Sequence, residues 1–161
     1  VADHAAILIT GMSGVGKTTA LQGLSRRGFA TVDTDEDDWI DTAGGEPLWR
    51  EPPIAALLSW PRTTSLFVAG TVANQGVFYD RFDAVVLLSA PSAVMFERLA
   101  RRTNNPFGKS ESERQQIARD MAEVEPLLRQ AATHEVVTLC PPDEVVDMLV
   151  DIAAALRVSR A

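Results

Sequence analysis

Gly11-Met12-Ser13-Gly14-Val15-Gly16-Lys17-Thr18 decides the fold, because it satisfies G-x-x-x-x-G-K-S/T at every fixed position. Glycines let successive backbone N–H groups turn inward, and the helix that opens near Lys17 adds its positive N-terminal end. The result is a nest for phosphate oxygens. Lys17 suits the β and γ phosphates of a nucleoside triphosphate, and the Thr18 hydroxyl suits Mg²⁺. The motif needs a strand before it and a helix after it. Both are present: Ala5 to Thr10 is a short apolar run, and Lys17 to Arg26 has helical spacing. The expected ligand is therefore ATP with Mg²⁺, held by Gly11, Ser13, Gly14, Val15, Gly16, Lys17, Thr18 and Thr19.

Outward from this loop, strands alternate with helices, as in a parallel sheet covered on both faces. Phe29 to Asp33 reads as a second strand, Ser65 to Ala69 and Ala84 to Ser89 as continuous apolar runs of the kind that burial on both faces requires, and Glu135 to Leu139, rich in valine, as a fifth strand. Pro91 to Arg102 reads as a helix. A second begins with Ser110 and Glu113 at capping-box spacing and carries Ile117, Met121, Val124 and Leu128 on one face; Pro126 should kink or divide it. Asp143 is placed to cap a last helix with Val146, Leu149, Val150 and Ala153 buried. Between Asp35 and Pro61 lie a run of acidic residues, a Gly44-Gly45 pair and all three tryptophans. This is an insert over the sheet edge, and Ile54 to Trp60 is apolar enough to pack.

The chain has 161 residues, 46% of them hydrophobic, which suits one domain with one core. A net charge of −7 argues against a surface built for duplex nucleic acid or an anionic membrane. An anionic ligand must then be caught by a local pocket. One cysteine, Cys140, permits no internal disulfide. With no window suited to a membrane span or signal peptide, the expected location is the cytoplasm.

With these residues in place, the sequence resembles the small P-loop kinases: shikimate kinase, gluconate kinase and the adenylate-kinase-like proteins. The resemblance runs through the phosphate loop, the Asp33-Thr34-Asp35 pair after the second strand, the arginines before a short lid, and the final strand and helix. It implies a three-layer α/β fold with a five-stranded parallel sheet in the order 2-3-1-4-5. One domain would span residues 1–161, with a substrate insert at about 36–62 and a lid at about 102–112. It also implies a phosphoryl transfer from ATP to a small-molecule acceptor.

By the resemblance, Asp33 holds a water on Mg²⁺ and faces the acceptor hydroxyl, and Asp35 binds substrate hydroxyls. Either aspartate also suits the cap of a following helix, and Glu36 to Asp38 reads as a solvated acidic face. The third strand ends in Gly70 without a carboxylate, which leaves Asp33 the best-placed acid. Arg98 and Arg102 lie four apart on one helical face. The resemblance gives Arg98 to adenine and Arg102 or Arg101 to phosphate, while solvation of a surface helix is the other use of such residues. Side chains of Thr138 to Pro142, where the adenine edge is expected, carry little signal. Shikimate kinases have a glycine triplet where this chain has Ala69-Gly70-Thr71-Val72-Ala73-Asn74-Gln75-Gly76, so shikimate is not carried over as the substrate. Asn74 and Gln75 suit acceptor hydroxyls or an amide-rich turn equally. Arg50 suits an anionic group of the acceptor, and Trp39, Trp49 and Trp60 suit either a pocket wall or the core. An ATP-dependent switch without an acceptor is the rival function, but it has no need of the insert or the lid arginines.

Overall fold

The computed structural model describes residues 4–101 and 111–160. Its main sheet is five-stranded and parallel, built from β1 (Ala6–Thr10), β2 (Ala30–Asp33), β5 (Leu66–Ala69), β6 (Ala84–Ser89) and β7 (His134–Val137) in the order β2-β5-β1-β6-β7. Counting sheet strands alone, that is the expected order 2-3-1-4-5. The helices are α1 (Lys17–Arg26), α2 (Glu51–Ser59), α3 (Ser92–Ala100), α4 (Glu111–Glu123), α5 (Glu125–Ala131) and α6 (Pro142–Arg160), with a 3₁₀ segment at Gln75–Arg81. Within the insert, β3 (Ile40–Asp41) and β4 (Leu48–Trp49) form a small antiparallel ribbon ahead of α2.

Each central strand is apolar throughout because it feeds two cores. Alternate side chains of β1 go to opposite faces. Ala5, Ile7 and Ile9 join Leu21 and Leu24 of α1 and Val146 and Leu149 of α6. Ala6 and Leu8 join Trp49, Ile54 and Leu58 of the insert with Phe78 and Phe82. The insert thus roofs one face of the sheet, and Trp49 belongs to its core at 2% exposure. Trp60, by contrast, is exposed.

Two boundaries moved, the start of the last helix and the extent of the final strand. Pro126 divides the helical stretch as expected, with the break at Val124, and the buried positions are Ile117 and Leu128. Ser110 lies outside the described residues, so the capping box is not described either. The last helix starts at Pro142 instead of being capped by Asp143. Proline fits the first helical turn without losing a needed donor, and Asp143 then sits in that turn, where its charge complements the helix dipole. The final strand runs His134–Val137, earlier than expected, because Thr138 leaves it to bond the phosphate loop.

One ion-paired network ties β7 to its neighbours. Glu135 accepts from Arg129 Nε at 2.8 Å and from Ser89 Oγ at 2.7 Å, and Arg129 also reaches Glu125 at 2.7 Å. The Arg129 hydrogen bond, followed by that of Ser89, holds the Glu135 carboxyl below its ordinary value of 4.5. A depressed folded value means stability that is present above the unfolded value and lost as pH falls through the folded one. Glu135→Gln should therefore lower the melting temperature at pH 7 and flatten its decline below pH 4.5. Parallel melting curves for the two proteins across that acid range would remove the network from the account.

Candidate active site

The phosphate loop leaves β1 at Thr10 and enters α1 at Lys17. Gly11 has φ +151°, and a Cβ there would come 2.5 Å from the carbonyl oxygen of Leu88, so only glycine fits between β1 and β6. Gly16 holds the N-cap position at φ +104° and supplies no side-chain cap. The first N–H groups of α1 therefore face the loop as donors, with the positive end of the helix dipole behind them. Val15 is buried and Ser13 is exposed at the loop tip. Lys17 Nζ donates to Gly11 O and, at 3.4 Å, to Met12 O, which lays the ammonium across the loop.

Thr18 and Asp33 come together although fifteen residues separate them. Thr18 Oγ1 donates to Asp33 Oδ2 at 3.0 Å. The register explains it: Asp33 closes β2 opposite Ala69 of β5, at the carboxyl edge of the sheet where the loop also emerges. Asp33 Oδ1 accepts the backbone N–H of Asp35 at 3.1 Å, which fixes the carboxylate. Two hard oxygen donors side by side suit Mg²⁺, which binds few protein groups and completes its shell with water and phosphate. Among the described residues no group of three or more His, Cys, Asp or Glu is placed to hold a metal by itself.

Two cavities flank the loop. One, of about 490 Å³, runs between α1 and β2 under the start of the insert and is lined by Thr18, Arg26, Asp33, Glu36, Asp37 and Trp39, among others. The other, of about 300 Å³, lies behind the loop and includes Gly16, Thr19, Arg98, Thr138, Cys140 and Val145. Its mostly apolar wall suits a base. Arg98 donates to Gly14 O and Val15 O, both at 3.3 Å, to Thr138 Oγ1 at 3.0 Å and to Thr138 O. It thus fastens α3 and the loop after β7 to the phosphate loop while forming one wall of the cavity.

Several expected site residues have other uses. The Arg50 guanidinium pairs with Asp38 and bonds its carbonyl at 3.2 Å; it does not line the large cavity. Asn74 brackets Trp49, accepting from its N–H at 2.8 Å and donating to its carbonyl at 3.0 Å. Gln75 is 2% exposed, with its amide bonded to Thr10, Tyr79 and Val72 N–H. These two amides build the turn after β5 and anchor the insert instead of facing an acceptor. Arg101 pairs with Glu97, one turn back on α3. Asp35 is exposed and outside the cavity lining, and Glu36 to Asp38 are exposed as the solvated face expected of them, with Glu36 and Asp37 at the cavity's open side. Arg102 and most of the expected lid at 102–112 lie outside the described residues; Glu111 and Ser112 already belong to α4.

Two threonines were missed. Thr138 is 4% exposed, and its hydroxyl donates to Val15 O at 2.9 Å, so a side chain in that loop does matter. Thr71 Oγ1 donates to Gly11 O at 2.6 Å and accepts from Gly11 N–H at 3.2 Å, locking the first residue of the phosphate loop. No pattern in the sequence marks either, because their partners lie 123 and 60 residues away.

The model of a family described as an AAA domain matches residues 7–119. A shikimate kinase of Novosphingobium aromaticivorans is 31% identical over 151 residues, covering 80% of this chain and 76% of the relative. Among solved structures, shikimate kinase from Acinetobacter baumannii in complex with shikimate superposes with a TM-score of 0.67 at 20% identity, covering 94% of each chain. A gluconokinase from Sinorhizobium meliloti 1021 gives a TM-score of 0.60 at 20% identity over both chains in full. The solved structures share the fold; the curated relative and the family model together carry the kinship. The phosphate loop, the strand order and these matches agree: the chain belongs to the AAA-domain family as one of its small P-loop kinases, a phosphotransferase acting on a small molecule.

Proposed function

We propose that the protein moves the γ-phosphoryl group of ATP to a hydroxyl of a small metabolite held in the 490 Å³ cavity. The observation that carries this reading is the Thr18–Asp33 contact of 3.0 Å, which sets a carboxylate beside the phosphate loop at the head of that cavity. Loop N–H groups and Lys17 hold the β and γ phosphates, and the base lies against Arg98 and Thr138. Thr18 Oγ1 and the Asp33 carboxylate would hold magnesium, which would supply neutralisation of the phosphate charge. The acceptor oxygen bonds to the γ phosphorus as its bond to the β-bridging oxygen breaks, ADP leaves, and the hydroxyl proton passes to the Asp33 carboxylate. Such a transfer needs chiefly alignment and charge neutralisation, which this set supplies.

Incubation with Mg-ATP and a panel of sugars, polyols, amino sugars, hydroxy acids and nucleoside monophosphates should give ADP release above background with one class. ADP release indifferent to every acceptor would favour a hydrolytic switch. Cys140 offers an independent reading of the nucleotide site, since it is half-buried in the wall of the smaller cavity. Its alkylation by a maleimide should slow about tenfold with ATP at ten times its Kd, because reactivity follows the unliganded fraction. An alkylation rate unchanged by nucleotide would place the base elsewhere.

A further inference from the structure

We propose that Thr71 is a positioning residue for the triphosphate: through the Gly11 carbonyl it sets where the Lys17 ammonium stands. The proposal rests on the reading that Lys17 holds the β and γ phosphates. The Gly11 oxygen is the meeting point, since it accepts both from Thr71 Oγ1 at 2.6 Å and from Lys17 Nζ. Thr71 Oγ1 in turn accepts the Gly11 N–H at 3.2 Å, so one hydroxyl holds both polar groups of a buried glycine. The sheet delivers Thr71 to this place. Gly70 N–H donates to Ile9 O at 3.1 Å, which continues the β1–β5 ladder past Ala69 and leaves the next residue beside Thr10 and Gly11.

The hydrogen-bond directions around Thr71 are forced. A carbonyl only accepts, so the Thr71 proton belongs to Gly11 O, and the 3.1 Å contact between the two threonine hydroxyls carries the Thr10 proton toward Thr71. Thr10, fully buried, accepts from Gln75 Nε2 at 3.1 Å. Val72 N–H donates to Gln75 Oε1 at 3.0 Å, which fixes the end of the amide that carries the protons, and Gln75 Nε2 also donates to Tyr79 Oη at 2.9 Å. A one-way chain therefore runs from Gln75 through Thr10 and Thr71 to Gly11 O. Each hydroxyl that accepts becomes a stronger donor, and a network with every member satisfied holds one geometry. A lysine ammonium rides on a flexible stem, so its position depends on what it is bound to. Here that is the Gly11 carbonyl, held in one direction by Thr71, with Met12 O at 3.4 Å beside it.

The test is a double-mutant cycle, read by ADP release with Mg-ATP and by calorimetry with a non-hydrolysable Mg-ATP analogue. Thr71→Val keeps the shape and removes the hydroxyl, leaving Gly11 and Thr10 each short of a partner. In the parent it should lower kcat and weaken the analogue about tenfold each, with the KM of the acceptor unchanged. Thr71→Ser, which restores the hydroxyl, should bring both back to within about twofold of the parent. In a Lys17→Ala background, Thr71→Val should change the affinity by less than about twofold, because the group it positions is gone. Thr71→Ala, smaller and open to a water at Gly11, carries the same comparison where the valine variant does not fold.

An equal loss of affinity in both backgrounds means that Thr71 braces the loop amides and not Lys17. A lower melting temperature with kcat and affinity unmoved means that it only stabilises the fold. Either result overturns the proposal. No ADP release from the parent with any acceptor removes phosphotransfer, while the calorimetric cycle still decides the role of Thr71. No binding of the analogue by the parent removes the nucleotide site and the proposal together.

Discussion

Lys17→Ala lowers turnover at least ~100-fold, with the fold intact. The ammonium is the one mobile positive charge of the phosphate loop, and the group in flight carries spread negative charge that fixed amides meet only in part. Lys17 Nζ bonds Gly11 O and Met12 O, so the substitution also removes two tethers of the loop. Those tethers are side chain to backbone on a partly buried loop, and Thr71 and Arg98 hold the same segment by four further hydrogen bonds, two to Gly11 and one each to Gly14 and Val15. The variant should melt within a few degrees of the parent. Wild-type kcat in the purified variant would remove Lys17 from the chemistry, and a collapsed melting temperature would show that its main work is structural.

The phosphate loop was legible because its requirements are local. Gly11 must pass beneath the Leu88 carbonyl, Gly16 must open α1 without a side chain, and Lys17 and Thr18 must follow at once. Nothing in that list depends on residues far away in the chain. The sheet order came with the resemblance to the small P-loop kinases, and the alternation of strands and helices by itself established only a parallel sheet. Asp33 could be picked out because it ends a strand at the edge where the loop also ends, a matter of register more than of long-range packing.

Arg50, Asn74 and Gln75 show the other side. Each has the chemistry of a ligand-binding residue, but a guanidinium or amide goes to whichever partner the tertiary fold brings nearest. For Asn74 that is the main chain of Trp49, and for Gln75 it is Thr10, Tyr79 and Val72. A buried amide with its hydrogen bonds made is costly to redirect. The acidic run at Glu36 to Asp38 was legible as a solvated face, because exposed carboxylates need no distant partner; the pairing of Asp38 with Arg50 was not.

Asp33→Asn separates the two uses open to that residue. Asparagine is the same size and keeps an oxygen that can accept from Thr18 Oγ1 or from Asp35 N–H, the contacts that fix the turn at 3.0 and 3.1 Å. If Asp33 only caps that turn, activity should change little. Under the proposed chemistry the variant loses both the negative charge facing the magnesium shell and the group that takes the acceptor proton, and kcat should fall about 100- to 1000-fold. Binding of ATP in the absence of magnesium should stay within a few-fold, because the loop amides and Lys17 are untouched, and the magnesium concentration needed for half-maximal rate should rise. The contrast between kcat and nucleotide affinity is the useful quantity: an equal loss in both would mean that Asp33 shapes the loop, whereas a loss confined to kcat puts the carboxylate at the transferring phosphoryl group.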